Sequence, residues 1–217
     1  MLLQNLKNFF VKNKVLSSAF VVLLAVCFFG GLFGLNQLVR ETNLYNAYMF
    51  EKRTYTVNVP DGVAVDAALS AYISRHKSKN GIIQAEISNF DNPSEKLTAL
   101  CFTYDGMDYP ATVGNNIMNI NSDTSKKEVI LNGERLEEKI GTKYMINGEE
   151  YTVIGVDNSF NGTNVIAYNS LSNKNCVKSI EILLINVLTQ KEHEELSETL
   201  YELFTGCGIV LPDVSGV

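Results

Sequence analysis

Two histidines, four cysteines and several clustered glutamates are the side chains whose chemistry would carry catalysis or metal binding in this chain. His76 and His193 fall on two separate helical stretches. Neither has a His, Cys, Asp or Glu at a spacing of three or four that would make a helical metal pair. His76 follows the apolar face of its helix. His193 stands among Glu192, Glu194 and Glu195, which reads as a solvated face. Cys27 lies in a long apolar run, and Cys101, Cys176 and Cys207 are scattered without a C-x-x-C pair, which gives zinc no support. The three leave two readings open, one disulfide among them or small buried apolar side chains. Glu134, Glu137 and Glu138 read as surface charges. Asn161-Gly162-Thr163 is formally a glycosylation sequon and reads better as a turn. No G-x-S-x-G, H-E-x-x-H or phosphate-loop pattern occurs, so neither catalytic, cofactor nor metal residues are expected.

The elements that would position any site begin with Val15–Leu35, which is 21 residues without a charge. As a helix it would span roughly 30 Å, the hydrocarbon thickness of a bilayer. Lys7, Lys12 and Lys14 precede it and no acid does, whereas all 24 acidic residues follow. By the positive-inside rule this keeps the N-terminus in the cytoplasm and puts the remainder outside, although Arg40, Lys52 and Arg53 pull the other way. An acidic remainder with no basic stripe argues against nucleic acid as a partner. The apolar run is longer than a signal-peptide core of ~7–15 residues, and Leu24-Ala25-Val26-Cys27 is a poor lipoprotein box, so an uncleaved helix is expected. The lead 1–14 reads either as an amphipathic helix in the inner headgroup region or as a plain basic tail. Gly30 and Gly34 sit four apart on one helix face, where a second helix could approach closely. Leu35, Leu38, Val39 and Tyr45 suggest a helical stalk.

The expected organisation is a lead (1–14), a transmembrane helix (15–38), a stalk (39–52) and an extracytoplasmic domain (53–217) with a β-rich lobe at about 105–170. Tyr55, Val57 and Val59 alternate with polar residues and predict a strand. Val65, Ala68, Leu69, Tyr72 and Ile73 predict a helix that stops at Asn80-Gly81. Residues 82–87 and 97–104 read as further strands. The Asn- and Ser-rich stretch 110–127 reads as a long loop. Asn147-Gly148, set between two β-rich runs, is a type I′ hairpin signal, because both turn residues need φ > 0. Val177–Val187 predicts a strand. Thr189-Gln-Lys-Glu192 is a capping box opening a helix to about Phe204, and Ile209–Leu211 reads as a last strand. The fold class is thus α+β, with two strand–helix–strand halves that pair into one sheet, porter-like, both helices on one face.

The segment Glu128–Val156 resembles the periplasmic core domain of MacB/FtsX-type ABC transporter permeases. Gly141, Asn147, Gly148, Val153, Gly155 and Val156 stand at the matching places of a strand–hairpin–strand phrase in that family. The basic lead, first helix, stalk and two-halved external domain follow the same plan. The resemblance implies a membrane-anchored transporter component that works by coupled motion rather than bond chemistry. It also implies a separate cytoplasmic ABC ATPase subunit as partner, and a homodimer or further permease helices packed in the bilayer on Gly30 and Gly34. In that family a second membrane helix would begin near Val217, so the resemblance implies the first part of a longer permease or a shortened relative. The alternative is a single-pass anchored extracytoplasmic module that binds or signals without transport.

Overall fold

In the computed structural model of the chain, residues 49–104, 109–118, 120–121, 126–133, 136–157 and 162–214 are described, with Phe28, Gly31, residues 37–40, Thr42 and Asn46. The chain divides into two compact units, Met1–Met49 and Phe50–Val217. In the first, every described residue is helical, and Thr42 Oγ1 donates to the Leu38 carbonyl at 2.9 Å. The lead 1–14, most of the span 15–38, and both Gly30 and Gly34 lie outside the described residues. Among those that are described, no helix is long and apolar enough to cross a membrane.

The second unit is one mixed sheet with two helices. Its elements are β1 (Thr54–Asn58), α1 (Asp66–His76), β2 (Asn80–Ile87), β3 (Lys96–Thr103), β4 (Val113–Gly114), β5 (Glu128–Asn132), β6 (Lys143–Ile146), β7 (Glu149–Asp157), β8 (Thr163–Ala167), β9 (Val177–Leu184), α2 (Gln190–Leu203) and β10 (Gly208–Val210). Strand order is β10-β1-β9-β2-β3-β8-β5-β7-β4, with β6 paired to β7. The two strand–helix–strand halves interleave. β1 is antiparallel to both β9 and β10, and β9 is antiparallel to β2. Each half therefore holds a strand of the other between its own two. The strands of residues 105–170 extend this sheet through parallel pairing of β3 with β8, and β5 pairs in parallel with β7.

Both helices cover one face. Tyr55 and Val57 of β1, Ile83 of β2 and Ile180 and Ile182 of β9 point to that face and are fully buried. Leu69 and Tyr72 of α1 and Leu196 and Leu200 of α2 close over them. The Tyr72 and Phe204 ring centroids lie 6.4 Å apart where the helices meet. α1 stops for an identifiable reason. The fully buried Asn80 donates through Nδ2 to the His76 carbonyl at 3.0 Å and accepts from the Tyr72 hydroxyl at 3.1 Å, which satisfies a terminal carbonyl and a buried phenol together. α2 opens on its capping box, with Thr189 accepting from the Glu192 amide and Glu192 Oε2 accepting from the Thr189 amide at 3.0 Å.

Two expectations change. His193 is half-buried rather than on a solvated face, and its Nδ1 lies 2.8 Å from the Tyr55 hydroxyl. The reason is that the apolar face of α2 is wide enough to bring its first turn over β1. The stretch 110–127 is not only loop. β4 pairs with the end of β7, and Ile117 and Ile120 are buried against Leu100, Ile130, Val165 and Ala167 on the sheet face away from the helices. Tyr109, Ala111, Ile117 and Ile120 thus cover part of that second face.

Candidate functional site

The unit begins at Phe50, and Arg53 fixes the entry of β1. Its amide donates to the Phe50 carbonyl at 3.0 Å, its carbonyl accepts from Leu184 at 3.1 Å, and its guanidinium Nη1 donates to the Ile185 carbonyl at 2.8 Å. The next residues enter a strand hydrogen-bonded on both sides. Residues 50–53 are thus tied by main-chain and side-chain hydrogen bonds to the end of β9.

The hairpin residues form a second junction. Asn147 and Gly148 adopt φ of 52° and 79°, and Asn147 is the one non-glycine with positive φ among the described residues. Asn147 does more than turn the chain. Its Nδ2 donates to the Ser88 carbonyl at 2.9 Å, and its Oδ1 accepts from the Phe90 amide at 2.8 Å. Asp91 Oδ2 accepts from the Gly148 amide at 2.7 Å, and Asn89 Nδ2 donates to the Met145 carbonyl at 3.4 Å. The hairpin tip is clamped to the β2–β3 loop, about 57 positions away in sequence. Beside it, the Tyr144 hydroxyl and Asn164 Nδ2 both donate to Glu95 Oε2, the amide at 2.7 Å. Burial and the Glu95 carboxylate push the Tyr144 phenol up to about 12.

Of the other motif residues, Val153, Gly155 and Val156 lie on β7, and Gly141, just before β6, bonds to it. Gly141 (φ 89°) donates to the Val153 carbonyl at 2.7 Å, and Val153 and Val156 are buried. Gly155 is crossed by the 111–115 backbone so closely that an added Cβ would lie 2.7 Å from the Ala111 Cβ and 2.8 Å from the Asn115 carbonyl oxygen. Only a glycine admits that approach without something shifting.

A concavity of about 460 Å³ lies on the second sheet face. β1, β2, β3, β8 and β9 form its floor, and Phe50 and Tyr109 contribute to its rim. One residue of β3, Cys101, has no partner on β2. This bulge inverts the alternation beyond it, so that Leu100 borders the trough while Phe102, two residues on, pairs with Ile83 on the helix side.

Among the described residues, no group of three or more His, Cys, Asp or Glu side chains is placed to hold a metal ion. Cys101, Cys176 and Cys207 are free thiols, and burial raises all three above the ordinary thiol range. Burial lowers His76, and Lys79 and Arg75 reinforce the effect.

The architecture has a solved counterpart. The fold is that of the crystallised periplasmic region of MacB from Actinobacillus actinomycetemcomitans, with a TM-score of 0.54 at 14% identity over 77% of this chain and 92% of that one. The extracellular domain of the noncanonic ABC-type transporter YknZ from Gram-positive bacteria also aligns, at 11% identity and a TM-score of 0.44, over 69% of this chain and 90% of that one. No family model matches the sequence, and no curated protein does. At 14% identity the likeness concerns backbone architecture.

Proposed function

We propose that the chain is the first helix and extracytoplasmic domain of an ABC-type export system, in which this domain relays motion powered by a separate cytoplasmic ATPase. The observation that carries this reading is the fold likeness to the MacB periplasmic region, which extends over nearly all of that domain. The charge-free Val15–Leu35 run behind three lysines supports an anchor with the domain outside. Mechanically, Arg53 couples the entering chain to β9, and the Asn147 clamp couples the β2–β3 loop to the hairpin, so the sheet moves as one body. In this reading the chain performs no bond chemistry, needs no cofactor, and assembles as a homodimer or with other permease helices on the Gly30/Gly34 face.

The test is purification of the full chain from its native membrane in mild detergent. An ABC-type ATPase is expected to co-purify, and Gly30→Leu with Gly34→Leu is expected to reduce its recovery at least several-fold. An eluate without any ATPase would overturn the transporter reading. Recovery unchanged by the leucines would overturn the packing role of the helix. The alternative, an anchored binding module without transport, is favoured by one observation, the open trough on the second sheet face.

A further inference from the structure

The trough is chemically graded by strand register. At one end Ile82 and Leu183 lie opposite each other on β2 and β9, beside Phe50. Leu100 and Val165 border this end but are 3% and 2% exposed, packed beneath Ile117 and Ile120. At the other end Glu86 lies opposite both Ser179 and Thr98. Between them Gln84 lies opposite Glu181 and donates to its Oε2 at 2.7 Å. Glu86 and Glu181 are thus diagonal neighbours on one face, about 7–8 Å apart at the backbone, within joint reach of one multi-donor cation.

Among the described residues, neither carboxylate is in an ion pair, and Lys96, the one cation lining the trough, pairs with neither. Both side chains are exposed, so a cation reaches them directly from solvent, and two like charges on one face attract it more than either alone. A bare divalent ion does not suit the site, since it wants six or more oxygen ligands and no group of three acids converges here. An anion meets the wrong charge, and a wholly apolar molecule leaves both carboxylates facing it. The volume is that of a drug-sized ligand.

We propose that this sheet face is a binding site for an organic cation, with an ammonium or guanidinium between Glu86 and Glu181 and an apolar body over Ile82 and Leu183 beside Phe50. Gln84 is a positioning residue, holding the Glu181 carboxylate toward the trough. The inference stands apart from the transporter reading, because it rests on the trough's own side chains alone.

The test uses the full chain in nanodiscs of zwitterionic phosphatidylcholine, with empty nanodiscs subtracted. Dansylcadaverine, an ammonium on an aromatic body, is titrated by fluorescence against N-pentyl dansylamide, which has a similar body and no charge. Saturable binding is expected, with the ammonium probe favoured at least tenfold and the preference falling as NaCl is raised. Glu86→Gln with Glu181→Gln is expected to bring the ratio to about one while neutral-probe binding persists, which also shows that the sheet is intact. Leu183→Asn is expected to weaken both probes. If the double variant does not fold, Glu86→Gln alone and the salt dependence decide. Absence of saturable binding at millimolar probe, equal binding of the two probes, or a preference that survives both glutamines would overturn the proposal.

Discussion

Asn147 separates two energies that a turn residue usually confounds. At φ 52° a non-glycine side chain costs about 1 kcal/mol or more, which Asn tolerates better than most. Its amide also makes two hydrogen bonds to the Ser88 carbonyl and Phe90 amide. At ~0.5–1.5 kcal/mol each these contribute about 1–3 kcal/mol. Asn147→Gly keeps the backbone unstrained and removes only the clamp, so it is expected to destabilise by about 1–3 kcal/mol. Asn147→Ala removes the clamp and adds the left-handed strain, so it is expected to cost about 1 kcal/mol more than the glycine. Asp91→Ala, which frees the Gly148 amide, is expected to be non-additive with Asn147→Gly because both act on one junction. The assay is a urea transition followed by tyrosine fluorescence, since the chain has ten tyrosines and no tryptophan. Hydrogen exchange at Phe90 serves as the local readout. The reasoning fails if Asn147→Gly is within about 0.3 kcal/mol of the parent and Phe90 stays protected, because the clamp would then contribute nothing measurable.

Further outcomes are expected elsewhere. Gly155→Ala places a Cβ 2.7 Å from the Ala111 Cβ and 2.8 Å from a carbonyl oxygen, and is expected to cost about 1–3 kcal/mol and to expose β4 amides to exchange. Thr189→Ala removes one arm of the capping box and is expected to lower stability by about 1 kcal/mol, read from the same urea midpoint. In a Cys27→Ser background, a thiol reagent is expected to modify the half-buried Cys207 well before the buried Cys101 and Cys176, read by mass spectrometry after timed quenching. Because the folded-state pKa of His76 is lowered, the unfolded chain binds more protons as pH falls below about 6.5, so this residue's contribution is full above that value and is lost below it. His76→Gln is expected to flatten the fall of the urea midpoint between pH 7 and 5.5, and an unchanged slope would contradict it.

The elements were legible wherever a local pattern had a physical owner. Alternation at Tyr55, Val57 and Val59, the stop at Asn80-Gly81 and the box at Thr189 and Glu192 each follow from a few neighbouring residues. Interleaving of the two halves was not legible, because strand order depends on pairing across more than a hundred residues. Ile117 and Ile120 gave no periodic signal in an Asn-rich stretch, yet they cover part of the second sheet face. The trough was hidden for a similar reason. Ile82, Gln84 and Glu86 on β2, and Ser179, Glu181 and Leu183 on β9, each look like an ordinary outward-facing row, and only the antiparallel register sets the two carboxylates side by side. His193 among its glutamates looked solvated because the sequence does not show which strand lies beneath the first turn of α2.

The pairing of β1 with β10 has a mechanical corollary. Thr56 faces Val210 and Asn58 faces Gly208, so the chain enters β1 and leaves β10 at the same corner of the sheet. Tension applied between Arg53 and Leu211 would load those three residue pairs in succession, as a zip, rather than all together in shear. β1 would remain held by its five pairs to β9. A pull between Arg53 and Leu211 would therefore detach β10 at low force while β1 stays held on β9, which makes β10 the compliant edge of the sheet.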